Sequence, residues 1–244
     1  MSEIKVKTIE PSTGTNLTLG TSGDTIAVSS DSVKLDIWKD SGGNTLFQSD
    51  GSGTLSNVNS GLSGAGPKLI LSQTPDASAS VSFTSGINST YDHYMFVFYG
   101  INPGTSGGNF QFQCSTDGGS NYNTTITSTF FRADHKQNNT SYGLGYQGSL
   151  DQAQGTSYQI LMGAQDVVSS DGRNGSGILH LFSPASTTYV KQFYATCNHW
   201  DDINRSINSY IAGYFNTTSA INAISFLYSS SYTTTGTINM YGVA

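Results

Sequence analysis

The sequence predicts an all-β protein, and three observations lead to this prediction. No window of the 244-residue chain sustains apolar residues at the i, i+3, i+4, i+7 spacing of an amphipathic helix. Short runs in which apolar and polar residues alternate occur repeatedly, and many are rich in Tyr, Phe and Ile. Gly, Asn and Asp-Gly separate these runs at short intervals, as turns between strands do. The combination is typical of a β-sandwich or a jelly roll.

The composition excludes several classes of protein. Only 11% of the residues are charged, but 14 Tyr and 12 Phe indicate a chain that folds. The net charge of −6 and the lack of a basic run argue against nucleic-acid binding. Met1–Glu10 alternates charged and apolar residues, unlike a signal peptide, and no apolar run is long enough for a bilayer. We therefore expect a soluble protein, made without export, that inserts into no membrane.

The chain changes character at Gly61–Pro67. Residues 1–60 consist mainly of Gly, Ser, Thr, Asn and Asp with scattered apolar residues, whereas a dense series of strand-like runs follows. We therefore predict an attachment and oligomerisation segment at residues 1–60, a Gly/Ser linker at 61–66 and a jelly-roll-like β-sandwich head at 67–244.

The first segment contains short predicted strands around Ile4–Thr8, Leu17–Leu19 and Ile26–Val28. A hairpin with strands Val33–Trp38 and Thr45–Gln48 is predicted from the turn sequence Ser-Gly-Gly-Asn between them. Because small hairpins are marginal in water, we expect this segment to fold by interweaving identical chains, with a trimer as the leading hypothesis. A loosely ordered tail with one hairpin is the alternative.

The head contains about a dozen predicted strands, enough for two packed sheets. They are Lys68–Ser72, Val81–Phe83, Tyr91–Ile101, Asn109–Cys114, Ile126–Phe131, Tyr142–Tyr146, Tyr158–Met162, Ile178–Phe182, Tyr189–Cys197, Ser209–Phe215, Ile221–Tyr228 and Thr237–Tyr241. The stretch Tyr94–Tyr99 is apolar on both faces, which places it at the centre of a sandwich or at a subunit interface. Cys114 and Cys197 continue apolar alternations, so we interpret them as buried small hydrophobic residues rather than as a disulfide or metal ligands.

The sequence gives little support for an enzyme. No glutamate follows Glu10, so a catalytic carboxylate pair would need two aspartates. Asp201 and Asp202 are adjacent and are expected in a loop, His199–Arg205. No Gly-x-Ser-x-Gly, P-loop or dinucleotide motif is present. We predict no catalytic residues and no cofactor.

Histidines are the other candidates for chemistry. His199 could hold a cation with Asp201 and Asp202, but a polar loop tip beside a partly buried Trp200 is the favoured interpretation, and no metal site is predicted. His93, His135 and His180 are interpreted as isolated, with His180 as a hydrogen-bonded sheet residue.

Carbohydrate binding is the more serious functional alternative. Sugar sites combine an aromatic platform with a few amide or carboxylate groups, and they often lie on loops. The predicted loops Phe131–Tyr142 and His199–Arg205 supply these groups. The candidate glycan-binding residues are Arg132, Asp134, His135, Asn138, Trp200 and Asp201. Ordinary polar loops are the competing interpretation.

Several segments also carry a resemblance to known proteins. They are Ile87–Tyr91, Ser115–Tyr122, Ser183–Val190, Ile211–Ser219 and Gly236–Val243, together with Met1–Val6 and Thr13–Val28 near the start. The first five resemble marine bacteriophage virion proteins, and the opening is similar to cyanophage and pelagiphage fibre proteins. The resemblance implies a tail fibre, a capsid fibre or a capsid-decorating knob, usually trimeric and without catalytic residues.

The resemblance leads to a functional expectation. We expect a homotrimeric structural protein of the virion, assembled in the host cytoplasm and attached to capsid or tail proteins by its N-terminal segment. Host adsorption through a surface glycan is the alternative function.

Overall fold

The computed structural model describes residues 37–56, 58, 66–103, 108–163, 172–229 and 234–243. The regular secondary structure of these residues consists of β-strands, which confirms the all-β prediction. The chain divides into two compact units, Met1–Gly64 and Ala65–Ala244. The strands predicted around residues 4–8, 17–19 and 26–28 lie outside the described residues, as does most of the predicted linker.

The first unit contains a small antiparallel sheet of β1 (Ile37–Lys39), β2 (Thr45–Ser49) and β3 (Leu55–Ser56). The Asp40 carboxylate closes the first turn by accepting hydrogen bonds from the backbone N–H of Gly42 at 2.9 Å and of Asn44 at 2.8 Å. The predicted hairpin is therefore confirmed within residues 37–48, and β3 adds a strand that was not predicted. None of this unit's described residues is buried.

The second unit is built from two antiparallel sheets. Its strands are β4 (Lys68–Gln73), β5 (Val81–Phe83), β6 (His93–Pro103), β7 (Phe110–Ser115), β8 (Ile126–Lys136), β9 (Tyr142–Tyr146), β10 (Gln159–Met162), β11 (Gly175–Phe182), β12 (Lys191–Trp200), β13 (Arg205–Phe215), β14 (Ala223–Tyr228) and β15 (Thr234–Val243). The larger sheet has eight strands in the order β4-β15-β6-β11-β12-β13-β8-β9. The smaller has four, in the order β10-β7-β14-β5. Each predicted head strand overlaps one of these twelve elements, β4–β15.

An aromatic core joins the two sheets. Phe98 of β6 lies 5.4 Å from Phe110 of β7, and Phe96 of β6 lies 5.6 Å from Phe226 of β14, measured between ring centroids. These four rings have no exposed surface. Since the inner faces of both sheets supply the core, the unit is a β-sandwich. Strands β11, β12 and β13 form a consecutive antiparallel meander, and the jelly-roll connectivity stays a prediction.

Three of the strands that are longer than predicted extend into the predicted binding loops. β8 continues to Lys136, β12 continues to Trp200, and β13 already begins at Arg205. The two predicted binding loops are therefore shorter than expected: residues 137–141 and 201–204 form turns, as expected for Asp201 and Asp202, and the remaining loop residues belong to strands. The apolar pattern ends near Phe131, but the ladder between β8 and β13 continues to the Lys136–Arg205 pair. Ion pairs among the inward side chains, described below, make this continuation favourable.

Candidate functional site

One face of the eight-stranded sheet points away from the core, and we call it the outer face. Its apolar and aromatic residues include Leu69, Met95, Val97, Tyr99, Phe131, Tyr142, Leu144, Tyr146, Ile178, Phe182, Tyr194, Tyr210 and Tyr241. Many of them stay open to solvent: Tyr194 is 45% exposed and Leu144 is 72% exposed. Among the described strands of this sheet, no side chain that points to the outer face is Asp, Glu, Lys or Arg. An exposed face of this kind is unusual on a monomeric protein.

Strand β6 shows the contrast between the two faces most clearly. Its inward residues Tyr94, Phe96 and Phe98 have no exposed surface, whereas Tyr99 on the outer face is 49% exposed. Because Tyr94–Tyr99 is apolar on both faces, the sequence predicted that both faces of this strand are buried. The described part of the unit buries only the inward face. A partner that covers the outer face would account for the second half of the pattern.

Aromatic rings stack across neighbouring strands of the outer face. The His93 ring lies 4.7 Å from Phe182, and the His180 ring lies 4.5 Å from Tyr194. His93 Nε2 and His180 Nδ1 are 2.7 Å apart, within hydrogen-bond distance. The prediction that these two histidines are isolated was wrong, whereas the prediction that His180 is a hydrogen-bonded sheet residue is confirmed. Beside this pair lies a shallow groove of about 440 Å³, lined in part by Val97, Tyr99, Ile178, His180 and Tyr194.

At one edge of the outer face, where β8 and β12 end and β13 begins, lies a group of polar residues that we call the polar corner. A second groove of about 360 Å³ lies there, lined by His135, Gln137, Asn198, His199, Trp200, Asn204 and Ser206. The Trp200 side chain is 38% exposed, and the Arg173 guanidinium lies 4.8 Å from the centroid of its ring. Asn198 Nδ2 donates a hydrogen bond to Ser206 Oγ at 3.1 Å. An indole beside amides and hydroxyls is suited to a polyhydroxylated ligand.

An ion network lies on the inward side of the same strand ends. The two carboxylate oxygens of Asp201 accept hydrogen bonds from the Arg205 backbone N–H and from its Nε, each at 2.7 Å. Arg205 Nη1 also lies 3.8 Å from Asp134 Oδ2, and Asp134 Oδ1 lies 3.9 Å from Arg132 Nε. The Asp201 side chain is fully buried, and those of Arg132, Asp134 and Arg205 are at most 16% exposed. These four groups therefore neutralise one another largely inside the fold.

The predicted glycan-binding residues fall into three places. His135 and Trp200 meet in the polar corner. Arg132, Asp134 and Asp201 belong to the ion network. Asn138 lies in the β8–β9 turn, where its Oδ1 accepts hydrogen bonds from the Thr140 backbone N–H at 3.2 Å and from Thr140 Oγ1 at 2.6 Å.

Sequence reasoning missed the amides and the hydroxyl that complete the polar corner. Gln137, Asn198, Asn204 and Ser206 were not among the candidates. A usable signal existed for Asn198, because it stands two residues before Trp200 and therefore shares its face of β12. No local signal identifies Ser206, since its approach to Asn198 depends on the pairing of β12 with β13.

His199 does not lie at a polar loop tip. It faces inward at the end of β12 and is only 2% exposed. Burial lowers the pKa of His199 to about 4; Arg132 and Arg205 act in the same direction, and the Asp201 charge partly opposes them. The side chain is therefore neutral near pH 7. No three His, Cys, Asp or Glu side chains converge as metal ligands among the described residues.

None of the described residues forms a helix long and apolar enough to span a membrane. Comparison with known proteins finds no matching family, no similar curated protein and no similar solved structure.

Proposed function

We propose that the protein is a structural protein of a bacteriophage virion. In this proposal it forms a trimeric fibre or knob without catalytic activity, anchored to capsid or tail proteins by residues 1–60. The β-sandwich head then projects from the particle. The open, uncharged outer face with its exposed aromatic and aliphatic side chains carries the proposal, because exposed apolar side chains grouped on one surface are typical of a surface that another protein covers. The phage context is supported by the sequence segments that resemble marine phage virion proteins.

Identical copies are the best occupants of the outer face. The net charge of the chain is −6, yet among the described strands of the eight-stranded sheet no side chain that points to the outer face is Asp, Glu, Lys or Arg. Two or three copies can therefore bring these faces together without opposing like charges. The face is also rich in Tyr, Phe and Met, which are enriched at protein interfaces.

The native mass of the full chain tests this assembly. We expect light scattering after gel filtration to give three times the chain mass. A charge buried in the interface would cost several kcal/mol, so Phe131→Glu and, separately, Tyr99→Glu should shift the protein towards monomer. Asn123→Glu adds the same charge at an exposed position outside the outer face and should leave the trimer intact. A monomeric wild-type chain would overturn the proposal.

Truncation tests the anchoring role separately. We expect the chain without residues 1–60 to be missing from purified particles, whereas the full chain is incorporated. Incorporation of the truncated chain at the same level would show that the anchor lies elsewhere. Imaging of intact particles with a labelled head would then distinguish a capsid position from a tail position.

The polar corner favours host-glycan binding as a second candidate function. Trp200 supplies an exposed indole, and Asn198, Asn204 and Gln137 supply amides around the same groove. We expect Trp200→Ala to abolish binding on a glycan array. Trp38→Ala is the matched control, because Trp38 is 47% exposed in the small N-terminal sheet. If the wild-type protein binds no glycan on the array, the structural role in the trimer remains the proposed function of the head.

A further inference from the structure

We propose that His93 and His180 form a binding site for a divalent transition-metal ion on the outer face. The ion class is Cu²⁺, Ni²⁺ or Zn²⁺, because imidazole nitrogen suits these ions. The site goes beyond the proposed virion function. Both ligands belong to one chain, so the site does not require the association of copies.

The sheet register brings the two imidazoles together. His93 is paired with Phe182, and His180 is paired with Met95, so the two histidines are diagonal neighbours on adjacent strands β6 and β11. His93 Nε2 and His180 Nδ1 face each other at 2.7 Å, and the ring centroids are 5.0 Å apart. Two imidazole nitrogens thus converge on one point of an exposed sheet face.

Neighbouring aromatic rings hold both imidazoles in orientation. Phe182 stacks on His93 with an interplanar angle of 21°, and Tyr194 stacks on His180 at 22°. No second hydrogen-bond partner of either imidazole is found among the described residues. Each neutral ring is therefore free to carry its single proton on the nitrogen that faces away. In the hydrogen-bonded pair one of the two facing nitrogens carries a proton. Metal binding requires that ring to adopt its other tautomer, which leaves both facing nitrogens unprotonated.

Rotation of both imidazoles converts the hydrogen-bonded pair into a chelate. A metal held by two nitrogens at about 2.1 Å each requires them to stand about 3.0–3.4 Å apart, with both lone pairs turned towards the ion. The rotation therefore has to open the present 2.7 Å and to turn the facing lone pairs away from each other. Water or other ligands would complete the coordination, as at an open metal site.

The surroundings of the histidine pair do not oppose a cation. Among the described strands of the eight-stranded sheet, no side chain that points to the outer face is a Lys or Arg that would repel the ion.

Metal titration of the untagged full-length protein tests the site. We expect one Cu²⁺ per chain wherever the outer face is open, with an electron paramagnetic resonance spectrum that reports two imidazole nitrogens. His93→Gln and His180→Gln should each weaken Cu²⁺ or Ni²⁺ binding by at least about tenfold. Loss of a residue that only hydrogen-bonds to a metal ligand already lowers metal affinity by about tenfold or more, and each of these variants loses a ligand itself. His135→Gln, at an exposed histidine of β8, should leave binding unchanged.

The same titration on Phe131→Glu separates this proposal from the assembly of copies. If copies cover the histidine pair, the wild-type trimer will bind poorly and the Phe131→Glu protein will bind one ion per chain, which supports both proposals. A monomeric wild-type chain that binds one ion supports the metal site alone. The metal proposal fails if neither protein shows two-nitrogen binding, or if His135→Gln weakens binding as much as the other two variants.

Discussion

Phe112 of the four-stranded sheet meets Phe193 of the eight-stranded sheet edge to face, with ring centroids 5.2 Å apart and an interplanar angle of 85°. Both rings are at most 2% exposed. Phe215 of β13 joins them, 6.0 Å from Phe112 and 5.3 Å from Phe193. This three-ring contact spans the two sheets and thereby fixes the sandwich.

Phe112→Ala is therefore expected to lower the free energy of unfolding by about 3–5 kcal/mol, because it removes a fully buried ring and leaves a cavity between the sheets. Urea denaturation of the full chain measures this loss. Tyr189→Ala is the control, because Tyr189 is 70% exposed in the loop before β12 and lies on neither face of the sandwich strands. Equal losses from the two variants would contradict the assignment of the core.

The stability of the head should fall in mild acid because of His199. The unfolded chain protonates this residue near its ordinary pKa of about 6.5, whereas the folded chain does so only near the lowered pKa of about 4. Between these values the unfolded state binds more protons, so the free energy of unfolding decreases as the pH falls, by about 3 kcal/mol in total.

The contribution of His199 can be isolated by comparison with His199→Gln, which cannot be protonated. We expect the variant to lose less stability than the wild type between pH 6.5 and pH 4. The lowered pKa values of His93 and His180 act in the same direction in both proteins. His135→Gln controls for the change of residue type. Parallel pH profiles for the wild type and His199→Gln would contradict the prediction.

Asp201 and Asp202 are adjacent in sequence but should differ sharply in their contribution to stability. Asp201 is fully buried and accepts two hydrogen bonds from Arg205, whereas Asp202 is exposed. We expect Asp201→Asn to cost about 2–3 kcal/mol, because hydrogen bonds between charged groups are lost. Asp202→Asn should change the free energy of unfolding by less than about 0.5 kcal/mol. Thermal or urea unfolding of both variants provides the comparison, and similar costs would rule out the ion network as described.

Both thiols should be unreactive in the folded protein. Cys114 and Cys197 are free and are at most 1% exposed, which confirms their interpretation as buried hydrophobic residues. Burial raises the pKa of each thiol, so little thiolate is present at pH 8. Ellman's reagent should label neither residue in buffer and both in denaturant. Rapid labelling of one thiol in the folded state would contradict its position in the core.

The alternation of apolar and polar residues along the chain was sufficient to predict most of the strands. β9 has the predicted bounds, Tyr142–Tyr146, and β12 follows a strict alternation of buried and exposed residues over Lys191–Trp200. Alternate side chains of a strand face opposite sides, so this pattern is readable without knowledge of the partner strands. The ends of β8 and β13 were missed because their inward residues are charged and are stabilised by partners from other strands.

The sequence by itself determined that this protein is all-β and that the Cys114 and Cys197 side chains face the core, because both follow from the spacing of neighbouring residues. Only the tertiary structure decided which polar groups meet. His93 and His180 are 87 positions apart, and Trp200 shares the polar corner with His135 because β12, β13 and β8 are adjacent. Strand order arises from packing of the whole core, and side-chain spacing within one strand carries no information about which distant strand becomes its neighbour.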